Sequence, residues 1–139
     1  VSDFCPAIVS DRLRAFSRFL DLSLGQPGRL HVYGSARPAK GASAGAGVLP
    51  LATLVLYQPC LDGVVGNVLT LLAPVSASVA LSGDAVWARF ENGAGQWAYD
   101  CDVSLPSGTA PVRLTTVSGT LALYAGGQLS CLPITLTEA

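Results

Sequence analysis

The sequence predicts an all-β protein: a jelly-roll-like β-sandwich of about eight strands, with one N-terminal helix and an extended N-terminal arm. From residue 28 onward, short apolar or alternating runs are separated by Gly, Pro, Asn and Asp at the spacing of strands and turns. Only one stretch, near the start, carries a helical period. The segment from Asp84 to Val103 reads as a hairpin whose register supports itself.

In chain order, residues 1–9 hold Phe4 and Ile8 without any period and read as the arm. A helix is expected over 10–24. Ser10 or Asp11 would cap it, Leu13, Phe16, Leu20 and Leu24 would form its apolar stripe, and Gly25 would end it. Residues 10–139, helix included, are expected to form a single sandwich domain. Arg29 to Tyr33 alternates as a strand. Residues 34–47, rich in Gly, Ala and Ser, read as a long flexible loop. Leu49 to Tyr57 is an apolar run that suits a strand buried on both faces. Val64 to Leu72 gives another, best from Asn67.

In the hairpin, a loop of Asn92-Gly93-Ala94-Gly95 would set Phe90 opposite Trp97 and Ala88 opposite Tyr99. One face then carries Val86, Ala88, Phe90, Trp97, Tyr99 and Cys101. The other carries Trp87, Arg89, Glu91, Asp100 and Asp102. Further strands are expected at Val112–Thr116, Thr120–Tyr124 and Leu129–Leu136, with Pro133 marking an edge or a bulge in the last.

Composition narrows the function. Half the 139 residues are hydrophobic and only 12% are charged, against about 25% in ordinary soluble domains. No charged residue lies between Lys40 and Asp62, nor between Asp62 and Asp84. Gly, Pro, Ser, Gln and Asn break both stretches, so neither offers the ~18–20 apolar residues of a spanning helix. No membrane partner is expected, and the start, with no basic flank, is not read as a signal peptide. An initiator Met removed before Val1 would account for the absence of Met. The greasy composition instead suits an assembly subunit whose outer faces are covered. With net charge −1 and eight scattered Lys and Arg, no nucleic-acid partner is expected.

Cys5, Cys60, Cys101 and Cys131 lie far apart without a C-x-x-C pair and read as free thiols acting as small hydrophobes, with a disulfide as the alternative. No metal site and no cofactor are expected.

A search for catalytic residues yields none. His31, the single histidine, sits between Leu30 and Val32 without a nucleophile motif nearby. Asp100 and Asp102 share a strand face, which could serve calcium or acid–base chemistry, but Arg89 beside them favours a solvated polar face. Residues 41–47 lack the Gly-Lys-Ser/Thr of a phosphate loop. Trp87 has two readings on its otherwise polar face: covered by a second layer, or an exposed interface anchor beside Arg89. Phe4, Ile8, Trp87 and Arg89 are therefore the candidate protein-interface residues.

The order of motifs resembles short virion proteins of tailed phages. Those chains run a helix into a strand and turn like Leu30-His31-Val32-Tyr33-Gly34-Ser35-Ala36-Arg37-Pro38. A Gly/Ala-rich loop then leads to an apolar strand like Leu51-Ala52-Thr53-Leu54. Later come strands like Ser82-Gly83-Asp84-Ala85-Val86-Trp87-Ala88-Arg89 and Asp100-Cys101-Asp102-Val103. The resemblance spans about residues 12–137, and the cysteines and the very apolar 48–73 region depart from it. It implies a non-enzymatic capsid cement (decoration) protein on the virion exterior, present in the host cytoplasm during assembly. Its partners would be the major capsid protein and a second copy of itself, as a homodimer or a trimer. The rival expectations are a phage tail or head-fibre module, or another carbohydrate-facing sandwich with an aromatic cleft at Trp87 or Trp97. A small hydrolase is a further rival, and it would need His31 beside a serine or cysteine and an acid.

Overall fold

A computed structural model describes residues 5–138; Phe4 lies outside them. The helix α1 runs Pro6–Leu20, earlier at both ends than the expected 10–24. Pro6 occupies the first turn, where its fixed φ and missing N–H cost nothing. Residues 6–9 are thus helical and not an arm. At the other end Asp21 leaves the helix, its carboxylate accepting from Cys60 N at 3.2 Å. Gln58 Nε2 donates to the carbonyls of Asp21 and Ser23 at 3.1 and 2.8 Å, fixing the turn. Gly25, expected as the helix cap, lies in that following turn with φ +77°. Leu13, Phe16 and Leu20 face the core as their spacing requires, but Leu24, beyond the helix, is 97% exposed.

The described residues hold twelve strands, where about eight are expected from spacing alone. The longest sheet joins β1 (Arg29–Tyr33), β2 (Ala52–Val55), β5 (Ala77–Ser78), β7 (Trp87–Glu91), β8 (Trp97–Ser104), β9 (Val112–Thr116) and β11 (Gln128–Cys131) in the order β2-β1-β7-β8-β9-β11-β5. A three-stranded sheet, β12-β4-β3, combines β3 (Leu61–Val65), β4 (Val68–Leu71) and β12 (Ile134–Thr137). The short strands β6 (Gly83–Asp84) and β10 (Ala122–Leu123) pair with each other.

The expected strand 64–72 is a hairpin, β3–β4, turning on Gly66-Asn67. Gly66 supplies the φ of +60° that such a two-residue loop needs. The expected strand 129–136 divides at Pro133 into β11 and β12, which join different sheets. Proline cannot donate to the ladder, and the chain changes sheet there.

The sheet is mixed. Its β8–β9 pair is parallel, joined through the short connection 105–111. Parallel strands ordinarily need a crossover of about a dozen residues. Here the overlap is confined to Val103↔Val112 and Ser104↔Arg113, so the chain need only make one loop beyond the end of β8.

The two ends of the long sheet come back together. Val75 N donates to Val55 O at 3.0 Å, and Ala80 N and Leu81 N donate to Leu51 O at 2.8 and 3.2 Å. The result is an all-β fold with one N-terminal helix, its mixed sheet nearly closed into a barrel. The core is one cluster that includes Leu30, Leu54, Leu69, Phe90, Leu114, Leu129 and Ile134. The helix adds Phe16, edge-on to Phe90 and Tyr99 at 6.0 and 5.9 Å.

The hairpin keeps its two faces but not its pairing. Phe90 lies opposite Tyr99 and Ala88 opposite Cys101, two residues along β8 from the expected partners. An even shift leaves parity untouched, so Ala88, Phe90, Tyr99 and Cys101 still share a face. A bulge between Phe90 and Glu91 sets Trp97 opposite Glu91, moving Trp97 to the other face. Asn92 holds the turn, its Oδ1 accepting from Ala94 N and Gln96 N at 3.1 and 3.0 Å. Gly93 packs directly on the Gln26 carbonyl, a place with no room for a side chain.

The four cysteines are free thiols, Cys60, Cys101 and Cys131 buried and Cys5 exposed. Burial pushes each buried thiol from 9.0 up to about 12. Two outcomes are expected. At mildly alkaline pH a thiol-specific alkylating reagent labels Cys5 in the folded protein and all four sites after denaturation. Stability is unaffected by these thiols below pH 9.0, then falls as pH rises from there toward about 12, because the unfolded chain ionises first. Rapid native labelling of Cys101 or Cys131 would contradict this packing.

Candidate functional site

The register lines up polar side chains across neighbouring strands on the face turned away from the core. Thr53 pairs with His31, His31 with Arg89, and Arg89 with Asp100, one row across β2, β1, β7 and β8. A second row pairs Tyr33 with Trp87 and Trp87 with Asp102. The 34–47 loop crosses this face. Gly, Ala and Ser let its backbone come close, and its carbonyl at Ala42 accepts from Arg89 Nη2 at 2.6 Å.

That cover changes the expected character of Trp87 and Arg89. Arg89, expected on a solvated face, is 7% exposed and Asp100 8%. The guanidinium grips the carboxylate with two parallel bonds, Nε to Oδ1 at 2.8 Å and Nη2 to Oδ2 at 2.9 Å. The hydrogen bond to Asp100 raises the Arg89 pKa further above its ordinary value, against the opposing effect of burial. Trp87 is fully buried, stacked on Tyr33 with centroids 4.5 Å apart and with the Arg89 guanidinium 5.2 Å over its ring. Neither side chain is an exposed anchor: the loop carbonyl at Ala42 caps Arg89, and Trp87 packs against Tyr33 and Arg89. Ile8, on the helix, is 45% exposed and open to a partner.

A hydroxyl, an imidazole and a carboxylate meet in one cluster that sequence reasoning missed. His31 Nδ1 lies 2.8 Å from Thr53 Oγ1, and His31 Nε2 lies 3.3 Å from Glu91 Oε2. A carboxylate only accepts, so Nε2–H donates to Glu91; with a neutral ring, Nδ1 then accepts from Thr53 O–H. This is the acid and hydroxyl that a hydrolase reading of His31 asks for, with threonine in the place of serine or cysteine. Beyond such a trio, nucleophilic catalysis needs donors for a developing oxyanion and a cleft beside the hydroxyl. What the cluster does is tie β2, β1 and β7 together on their polar face.

Compared with protein-family models, curated proteins and solved structures, the chain matches none of them. The site therefore rests on its own geometry. Among the described residues no group of three or more His, Cys, Asp or Glu could hold a metal ion, and no helix is long and apolar enough to cross a membrane.

Exposed apolar side chains gather at the seam where the sheet closes. Residues 49–57 and 72–81 run together there. They expose Leu49 (66%), Val55 (37%), Tyr57 (52%), Leu72 (38%), Val75 (47%) and Leu81 (42%). The 49–57 run, expected to be buried on both faces, is buried on one: Leu51, Leu54 and Leu56 point inward and Leu49, Val55 and Tyr57 outward. Each segment belongs to one of the two charge-free stretches of the sequence. Hydrogen bonding brings the two stretches side by side, so these segments themselves hold no charge, and Arg29 on β1 borders them opposite Val55.

The buried ion pair makes a sharp contrast with an exposed one. Arg37, whose side chain is 45% exposed, reaches Asp102 at 3.3 Å. Arg89→Ala should lower the unfolding free energy by about 3–5 kcal/mol, because it strands a buried carboxylate. Arg37→Ala should cost no more than about 1 kcal/mol. Equal losses in urea unfolding would contradict the assignment of the buried pair.

Proposed function

We propose that this chain is a non-enzymatic structural protein of a tailed phage, a cement that binds the major capsid protein lattice and associates with copies of itself. The observation that carries this reading is the charge-free seam. Monomeric proteins rarely leave extended apolar patches open, and those that persist mark surfaces where another protein sits. Exposed Leu49, Val55, Tyr57, Leu72, Val75 and Leu81 form a strip along two hydrogen-bonded segments, a firm surface to bind against.

The capsid as partner comes from the resemblance of the motif order, from Leu30–Pro38 through Asp100–Val103, to phage virion proteins. A jelly-roll-like relationship belongs to the same proposal. In this reading the seam, with Ile8 on the helix, is laid across joints between capsid subunits. Repetition over the lattice multiplies weak contacts into firm attachment, and a self-complementary seam would pair two copies about a two-fold axis. The protein acts on the virion exterior after assembly in the host cytoplasm.

Purified chain mixed with capsids lacking it should co-sediment with them and raise the temperature at which they rupture. Val55→Asp with Tyr57→Asp should weaken that binding at least about tenfold, since each places a charge in a desolvated contact. His31→Ala should leave it unchanged. Capsid occupancy unaffected by the seam variants, or lost on removing His31, would refute the proposal.

A further inference from the structure

A groove of about 490 Å³ opens between the 34–47 loop and the start of β8. It lies on the far side of β1 and β7 from β2 in the sheet order, away from the seam. Trp97, 38% exposed, gives it an aromatic wall, and Ala98 and Tyr99 line it at the open edge of β8. The other wall is cationic, with Arg37 and Lys40 on the loop. We propose that this groove binds an acidic saccharide, a sugar ring carrying a carboxylate or sulfate, stacked on Trp97 with its anionic group at Lys40.

The bulge in β8 is what brings Trp97 to this face. Gly41 of the loop lies alongside the indole, where even a Cβ would make ordinary van der Waals contact at 3.4 Å. An indole beside backbone and still open to solvent offers a flat apolar platform on which a sugar ring can stack. The cations are arranged unequally. Arg37 is held by Asp102 at 3.3 Å and by the Asp100 carbonyl at 3.1 Å. Lys40 makes no hydrogen bond or ion pair within the described residues. Asp100, also on the groove, does not repel an anion, because Arg89 takes both of its oxygens. The uncompensated charge is therefore positive and sits beside a flat apolar surface.

Backbone supplies the remaining polarity. β9 pairs with β8 only at Val103 and Ser104, so the start of β8 has no strand neighbour on that side. Its free peptide groups can bond hydroxyls. A ligand that offers an apolar ring face, hydroxyls at its rim and one negative group meets all three features. An added peptide strand meets them less well, since Arg37 already occupies the Asp100 carbonyl to which such a strand would donate. A nucleic-acid strand would require a run of cations along its backbone, and the groove has two.

Titration of the full chain with oligogalacturonate and with a sulfated oligosaccharide tests the proposal. Neutral cello-oligosaccharide, a mononucleotide and an acidic peptide serve as comparison arms. Trp87 is fully buried, so ligand-dependent fluorescence reports Trp97. The acidic saccharides should change that fluorescence and shift backbone amides of residues 37–41 and 97–100. Trp97→Ala and Lys40→Gln should each weaken binding about tenfold or more, with melting temperature retained in Lys40→Gln. No response to either acidic saccharide at about 10 mM, far beyond useful affinity, would overturn the proposal. So would equal affinity for the neutral sugar, tighter binding of the nucleotide or peptide, or binding indifferent to Lys40→Gln. The seam plays no part in this test, so its outcome is separate from that of capsid attachment.

Discussion

Closing a sheet without charge at the join is the constraint on which the molecule turns. The backbone bonds from Val75, Ala80 and Leu81 to the carbonyls of Val55 and Leu51 bring the two ends of the seven-stranded sheet together. They satisfy the exposed edge of β2, which would otherwise template aggregation. They do so with segments that contain no ionic residue, so edge pairing is solved and apolar exposure is created in the same stroke. The inner side chains of these segments, Leu51, Leu54, Leu56 and Val79, build the core. The outer ones have nothing in the described chain to cover them. A protein with 12% charged residues has little other means of hiding such a strip than a neighbour.

Further along the same outer face, across β1, β7 and β8, a different rule holds. There the molecule buries its ions: Arg89 and Asp100 neutralise each other under the loop, with Trp87 and Tyr33 packed alongside. Such a pair is poor evidence of net stabilisation, because desolvation offsets much of the attraction. Its consequence is geometric. With Asp100 committed to Arg89, and Arg37 committed to the Asp100 carbonyl, the loop is docked and Trp97 and Lys40 are left as the free surface of that side. The outer face is thus divided into two regions, one apolar at the seam, the other polar, locked and grooved.

Much of this was legible in the sequence where the signal is local. The stripe Leu13, Phe16, Leu20 places the helix's buried face, though its limits shift because Pro6 is a start signal that was passed over. The strands β1 and β9 follow from alternation, and the hairpin faces survive a two-residue register error because parity is preserved. Gly66-Asn67 is a hairpin signal that the apolar run around it concealed. What was not legible depends on chain segments far apart. Arg89 reads as solvated, and Trp87 as either covered or exposed, because a loop of Gly, Ala and Ser carries no periodicity to announce that it folds back over that face. His31 meets Thr53 and Glu91 only through a strand order that no local pattern specifies. The charge-free stretches stood out in the sequence, but their meeting at one seam is a property of the closed sheet.

In the proposed role another protein surface, in the first instance a second copy, covers the seam. Sedimentation velocity over a range of concentrations, combined with hydroxyl-radical footprinting of Tyr57, tests it most directly. The chain should associate as concentration rises and Tyr57 should become protected over the same range, while Tyr99, 36% exposed on β8 and away from the seam, stays reactive. A chain that sediments as a monomer throughout, with Tyr57 equally reactive at every concentration, would contradict it.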